Sequence, residues 1–168
     1  TGIKKAANSD SAFEIALYVT NGFGDGSFAN ISWLQEFPDP VTKIVWDSYA
    51  SMAPSTAKTL GVKDGQVLEL TVNGKSLKVP AHVQPGCQPN TIALGVGLGR
   101  TDAGSVGTGV GVNAYQLVNF NSGKPIFSGS EVKVNVTGEK QELANTQGHQ
   151  SMEGRQIVVQ ATLADYLK

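Results

Sequence analysis

The chain reads as a mainly β domain, closed into a barrel or folded as a sandwich, and three observations lead there. Short apolar runs of alternating character are separated by Gly, Pro and Asn turns. Glycine fills 20 of 168 positions and charged residues only 16%, against about 7% and about 25% in an average soluble domain. No long amphipathic helix and no strand–helix–strand rhythm interrupts the pattern. This length suits one domain with its own core, so a single domain is expected over 1–168, with 1–12 and 140–168 as extended or flexible flanks.

In chain order, "EIALYV" and "TKIVWD" read as the first strands, being apolar and β-branched over four to six residues. In "PSTAKTLGVKDGQ", Pro54 stands where a helix can start and Gly61 where it can stop, and Asp64-Gly65 turns the chain into the next strand. The predicted helix is about two turns long. The strongest local signal is "QVLELTVNGKSLKVPAHV", in which Asn73-Gly74 divides two alternating runs. Asn-Gly is the preferred centre of a two-residue type I′ hairpin. That loop sets Val72 opposite Lys75, Leu70 opposite Leu77 and Leu68 opposite Val79, with Leu68, Leu70, Leu77 and Val79 pointing inward. Further on, Val132, Val134 and Val136 alternate with Lys133, Asn135 and Thr137 as a half-buried strand does.

Several function classes lack their residues. The net charge is −1 and the longest basic run is Lys4-Lys5, so there is no electrostatic footprint for nucleic acid. Apolar stretches such as Ile92-Ala93-Leu94 are too short to span a bilayer. Cys87 stands alone, which leaves no disulfide, CxxC pair or iron–sulfur ligand set in the chain. His82 and His149 lack the spacing of a helical metal pair and read as polar surface or turn residues. Lys124 after Gly123 is followed by Pro125, not by a Walker Ser or Thr, and the string around Ser105 has Ala103 where a nucleophile elbow needs glycine. Metal and catalytic residues are accordingly expected to be none. The chain opens on Thr without a signal-peptide apolar region, from which a piece of a longer protein is expected.

"GVGLGRTDAGSVGTGVGVNAYQL", residues 95–117, carries seven of the 20 glycines. Glycine tolerates positive φ and lets other groups approach the backbone. Such a loop can cradle phosphates or simply turn corners. Gly109, Gly111 and Ala114 match a loose GxGxxA, but no strand–turn–helix unit surrounds them. Asn113 is a favoured N-cap, and "NAYQLV" supplies a helical turn after it.

The stretch from Ser51 to Arg100 resembles the C-terminal, cofactor-facing domain of molybdopterin oxidoreductases, through Pro54, Ala57, Leu60, Gly61, Val62, Asp64 and Gly65. The resemblance implies a six-stranded double-psi β-barrel of the aspartate-decarboxylase-like kind with a few short helices. "FANISWLQEFPDPVTKIVWDSYASMAPSTA", "LGRTDAGSVGTGVGVNAYQL" and "TQGHQSMEGRQIVVQATLADYLK" extend it from about Leu17 to Lys168. They resemble the molybdopterin-oxidoreductase-like subunit of bacterial alternative complex III, a quinol:electron-acceptor oxidoreductase. That resemblance implies a respiratory electron-transfer subunit on the periplasmic side of the inner membrane, with other subunits and an adjacent iron–sulfur domain as partners. Iron–sulfur clusters would lie in the rest of the subunit, and this domain would hold no cofactor and turn over no substrate alone.

In cofactor-holding members, the equivalent loop and a following Asn help hold the guanine-dinucleotide tail of molybdopterin. Carried over, these residues are Gly99, Arg100, Thr101 and Asn113. Loop amides and a bidentate Arg100 would meet a pyrophosphate. Two readings follow: a structural and interaction domain whose glycines survive as turns and contacts, which is the expectation adopted, and a working molybdopterin guanine dinucleotide site in a molybdenum or tungsten oxidoreductase. A third, a free-standing decarboxylase, requires cleavage at a Gly-Ser bond; Gly26-Ser27, Gly104-Ser105 and Gly129-Ser130 offer the dipeptide without its setting. Of the remaining residues, Trp33 and Trp46 are expected in the core or an interface. Glu36 and Asp39 belong to a rigid "QEFPDP" loop with Asp39 as a turn residue, and Arg155 and His149 reach towards a neighbour or solvent.

Overall fold

A computed structural model describes residues 13–148 and 152–168; His149 lies outside the described residues. Among the described residues, nine strands and a few helices of at most seven residues make a mainly β fold, as the composition predicts. Seven strands form one curled, barrel-like sheet: β1 (Glu14–Val19), β2 (Ala50–Met52), β3 (Gln66–Val72), β4 (Lys75–Val83), β5 (Thr91–Val96), β8 (Ser128–Glu131) and β9 (Lys133–Lys140). Their order is β8-β1-β5-β2-β4-β3-β9, while β6 (Asn119–Asn121) and β7 (Lys124–Ile126) pair apart as a small hairpin. Two contacts within the sheet are parallel, β1 with β5 from Glu14–Thr91 to Val19–Val96, and β2 with β4 from Ala50–Ala81 to Met52–Val83.

The two edge strands of that sheet belong to one stretch of chain. β8 runs antiparallel to β1 and β9 antiparallel to β3, and Val132 alone separates them. Val132 is buried, and its N–H donates to the carbonyl of Phe13 at 3.1 Å. The wall therefore curls until its edges meet at this residue.

The hairpin follows the predicted register. Leu70 pairs with Leu77, Leu68 with Val79 and Val72 with Lys75. Asn73 and Gly74 both take positive φ, 49° and 78°, as a type I′ turn requires. Leu68, Leu70 and Val79 are fully buried, and Leu77 is half-buried against the same core. Ile15 and Leu17 of β1, Met52 of β2 and Ile92, Leu94 and Val96 of β5 complete the interior. Each such side chain contributes about 1.5–3 kcal/mol on leaving water.

Helix α2 (Pro54–Leu60) closes as its sequence predicts. Pro54 sits in the first turn, where no N–H partner is needed. At the far end Gly61 takes φ 67°, its N–H donating to Lys58 O at 3.2 Å while Val62 N–H donates to Ala57 O at 2.8 Å. That pair of bonds is a Schellman stop. Asp64 of the following turn accepts from Val83 N–H at 2.7 Å and from His82 Nδ1 at 3.1 Å, which ties the turn to β4. His82 is therefore a half-buried strand residue, its ring edge-on to Tyr49 with centroids 5.6 Å apart, and not a turn residue.

The strand expected over 42–47 does not form. Asp39 Oδ1 accepts the N–H groups of Val41 and Thr42 at 2.9 and 2.8 Å, folding the chain back as the rigid-loop reading of Asp39 anticipates. Lys43 and Trp46 then take left-handed φ of 61° and 65°, which breaks extension, and only Ile44 bridges to Asn145. Residues 141–146 lie along this loop: Ala144 O accepts from Val45 at 2.9 Å and Thr146 N–H donates to Lys43 O at 3.0 Å. The chain predicted as a flank from residue 140 is thus held against the barrel as far as Thr146. Trp33 lies on the single-turn helix α1 (Ser32–Gln35), whose buried residue is Gln35, and is itself 81% exposed, which removes the core half of its reading and leaves the interface half.

Candidate functional site

β5 enters the glycine-rich loop through Gly95, where an added Cβ would lie 2.5 Å from Thr20 Cγ2. Gly97 and Gly99 then take φ 109° and 77° around the buried Leu98, a zigzag open only to residues without a Cβ. At Gly99 the loop crosses its own returning limb, since a Cβ there would stand 1.9 Å from the amide nitrogen of Asn113. Gly99 N–H donates to Val110 O at 2.7 Å and Gly109 N–H to Arg100 O at 2.9 Å, which zips the limbs together.

Further bonds tie the loop to its own turns and to neighbouring segments. Asn30 Oδ1 accepts from Val106 and Gly107 at 2.9 and 3.3 Å, at helix α3 (Gly104–Gly107). Thr108 Oγ1 accepts from Ala103 N–H at 3.1 Å and donates to Gly104 O at 2.7 Å. Ser48 Oγ accepts from Val112 N–H at 3.0 Å. Asn113 caps a single 3-10 turn (Ala114–Leu117), its side chain accepting from Tyr115 N–H at 3.2 Å, as the N-cap reading predicts.

Arg100 and Asn113 do come together, in a shallow cleft with Asp25, Gly97, Leu98 and Tyr115. Gly99 lies behind it at the crossing, and Thr101 is exposed outside its lining. Tyr115 Oη donates to Asp25 O at 3.0 Å, closing one wall. The Asp25 carboxyl is held below the usual carboxylate range, first by hydrogen bonds from Ser27 and less by the positive charge of Arg100. A carboxylate thus shares the cleft with the one guanidinium a pyrophosphate would use. Gly99, Val106, Gly107, Gly109 and Val112 donate their N–H groups within the protein. These five amides are spent inside the protein and are not available to a dinucleotide's phosphates.

Asp25, Asn30 and Ser48 are given no part in this site by the sequence. They meet residues 106–115 across 64 to 90 residues, so no local spacing could reveal them. Among the described residues no group of three His, Cys, Asp or Glu side chains is placed to hold a metal, and no helix is long and apolar enough to cross a membrane. Glu36 and Asp39 form no paired-acid site, because Asp39 is committed to its turn. Arg155 is exposed, with Nη2 at 3.5 Å from Glu153 Oε2.

No family model matches the chain. Over 59 residues, 35% of its length, it is 37% identical to a subunit of NADH-quinone oxidoreductase from Pseudomonas fluorescens, and the match covers 6% of that protein. Among solved structures, acetylene hydratase from Pelobacter acetylenicus shares its fold over 74% of this chain and 18% of that one, with a TM-score of 0.57 and 15% identity. The chain spans a small part of the length of either protein. Together these likenesses support an oxidoreductase-related domain with a β-barrel-like fold.

Proposed function

We propose that the chain is a structural and interaction domain of a respiratory electron-transfer subunit related to molybdopterin oxidoreductases and of the alternative complex III kind, with a dinucleotide cleft no longer used. The carrying observation is that Gly99 and Gly109 donate across the 95–113 loop and Val106, Gly107 and Val112 donate to Asn30 and Ser48, while Asp25 shares the cleft with Arg100. The local likeness to part of a quinone oxidoreductase supports the respiratory setting. Exposed Phe28, Trp33, Phe37 and Val41, all between α1 and its flanks, support an interaction role. In this reading the other subunits and an adjacent iron–sulfur domain are the partners, the clusters lie in the remainder of the subunit, and the complex sits on the periplasmic face of the inner membrane. The finer fold we propose is a six-stranded double-psi barrel, supported by the two parallel pairs and by the meeting of both edges at Val132.

The second reading, a working molybdopterin guanine dinucleotide site, is favoured by one observation: Arg100 and Asn113 share a cleft. Elemental analysis of the parent subunit for molybdenum and tungsten decides between them, alongside titration of the chain with GMP and GDP at low ionic strength. No stoichiometric metal and no nucleotide heat are expected. Stoichiometric metal, or micromolar GDP binding that disappears in Arg100→Ala, would overturn the proposal.

A further inference from the structure

A second cleft, of about 290 Å3, opens between the turn before β3, β4 and the chain that leaves β9. It shares no lining residue with the Arg100 cleft, so it stands apart from the fate of that site. Gly65 belongs to its wall and is buried. A Cβ there would stand 2.7 Å from the carbonyl oxygen of Gln141 and 3.6 Å from Lys140 Cε, so a bare backbone is what lets residues 140 and 141 pass this close. Ile44 and Leu143 add apolar surface to the same lining.

The polar side chains around the cleft divide into two sets. Asp64 is committed to His82 Nδ1 and the Val83 N–H, Gln141 Nε2 donates to Asp47 at 3.0 Å, and Asn145 Nδ2 donates to Thr42 O at 3.1 Å. Those groups are spent. The Lys140 ammonium and the Glu142 carboxylate, two positions apart on the lining, make no hydrogen bond or ion pair among the described residues, not even with each other. His82 gives its Nδ1–H to Asp64, which leaves Nε2 as an acceptor, also without a partner among the described residues.

We propose that this cleft binds a small aliphatic zwitterion, an α-amino acid of the leucine kind, with its carboxylate on Lys140 and its ammonium on Glu142 and His82 Nε2. Both signs are needed. A simple anion would satisfy Lys140 but lie against Glu142 and Asp64, and a simple cation would satisfy Glu142 but lie against Lys140. Size agrees with this. A volume of about 290 Å3 stands at the lower end of ligand pockets, roughly 300–1,000 Å3, so one amino acid fits and a dinucleotide does not. Ile44 and Leu143 suit a branched aliphatic side chain. Because Lys140 and Glu142 are exposed, each ion pair adds a severalfold gain and the affinity is millimolar.

The test is titration of the 168-residue chain at low ionic strength with L-leucine, with 4-methylpentanoate, which lacks the ammonium, and with 3-methylbutylamine, which lacks the carboxylate. NMR shifts of the His82 ring and the Leu143 methyl groups place the binding. Leucine is expected to move both and to bind about threefold or more tighter than either analogue. In Lys140→Met leucine is expected to fall to the level of the amine, and in Glu142→Gln to the level of the acid, with the unfolding midpoint kept because both side chains are exposed. No binding of leucine at millimolar concentration, equal binding of all three compounds, shifts that leave His82 and Leu143 unmoved, or a preference for leucine that survives both variants would each overturn the proposal.

Discussion

Gly99 and Gly109 lie in the same loop with nearly the same backbone, φ 77° and 75°, yet a methyl group would meet different surroundings at each. At Gly109 nothing lies within 4 Å, whereas at Gly99 it would overlap the amide of Asn113. Gly109→Ala should therefore lose only the left-handed penalty of about 1 kcal/mol. Gly99→Ala should lose about 3 kcal/mol or more, since the crossing limbs must part. Urea unfolding of the two variants checks the difference; equal losses would show that the crossing is not rigid. The residue scale is also where the sequence was least legible. Glycine density marked the loop, but Asn30, Ser48 and Asp25 serve it from distant turns and loops, and only folding brings them there.

Elements were readable where local chemistry and pattern agree. The hairpin needs only Asn73-Gly74 and period-two alternation, and α2 needs only Pro54 and Gly61, all written within a few residues. "TKIVWD" has strand composition, but Asp39 folds it back and Gln35 and Ala144 hold it there, so tertiary contacts override propensity. The signature residue Asp64 acts between elements. Removing its acceptor in Asp64→Ala frees the Val83 N–H and His82, and a loss of about 1 kcal/mol is expected. Because the His82 ring also rests on Tyr49, its NMR resonances should shift in the same variant; an unmoved ring would detach Asp64 from its placing.

At the scale of the whole molecule, alkaline pH should open the barrel. Burial raises the phenols of Tyr18 and Tyr49 above their usual value, Tyr49 beside Tyr18 adding to the effect. Unfolding returns both to about 10, so above that pH the unfolded chain holds fewer protons and stability falls as pH rises; below it the contribution is complete. Phenolate absorbance from these two residues should appear together with loss of structure, and Tyr18→Phe should make the fall shallower. Titration of both within an intact fold would refute this. The seam carries a larger effect. Val132→Asp places an unpaired carboxylate between β8 and β9 and should lose about 3 kcal/mol or more, measured by chemical denaturation. The same seam orders events in time. Chains emerge from the ribosome amino end first, so β1 and β3 are made long before residues 128–140 arrive to pair with them. Until then both present open edges, the form in which sheets capture strands of other chains. A nascent or truncated chain ending at Phe127 would be a sticky intermediate, and a chaperone's main task here would be to shelter two edges until one late stretch of chain, β8 and β9 together, covers both.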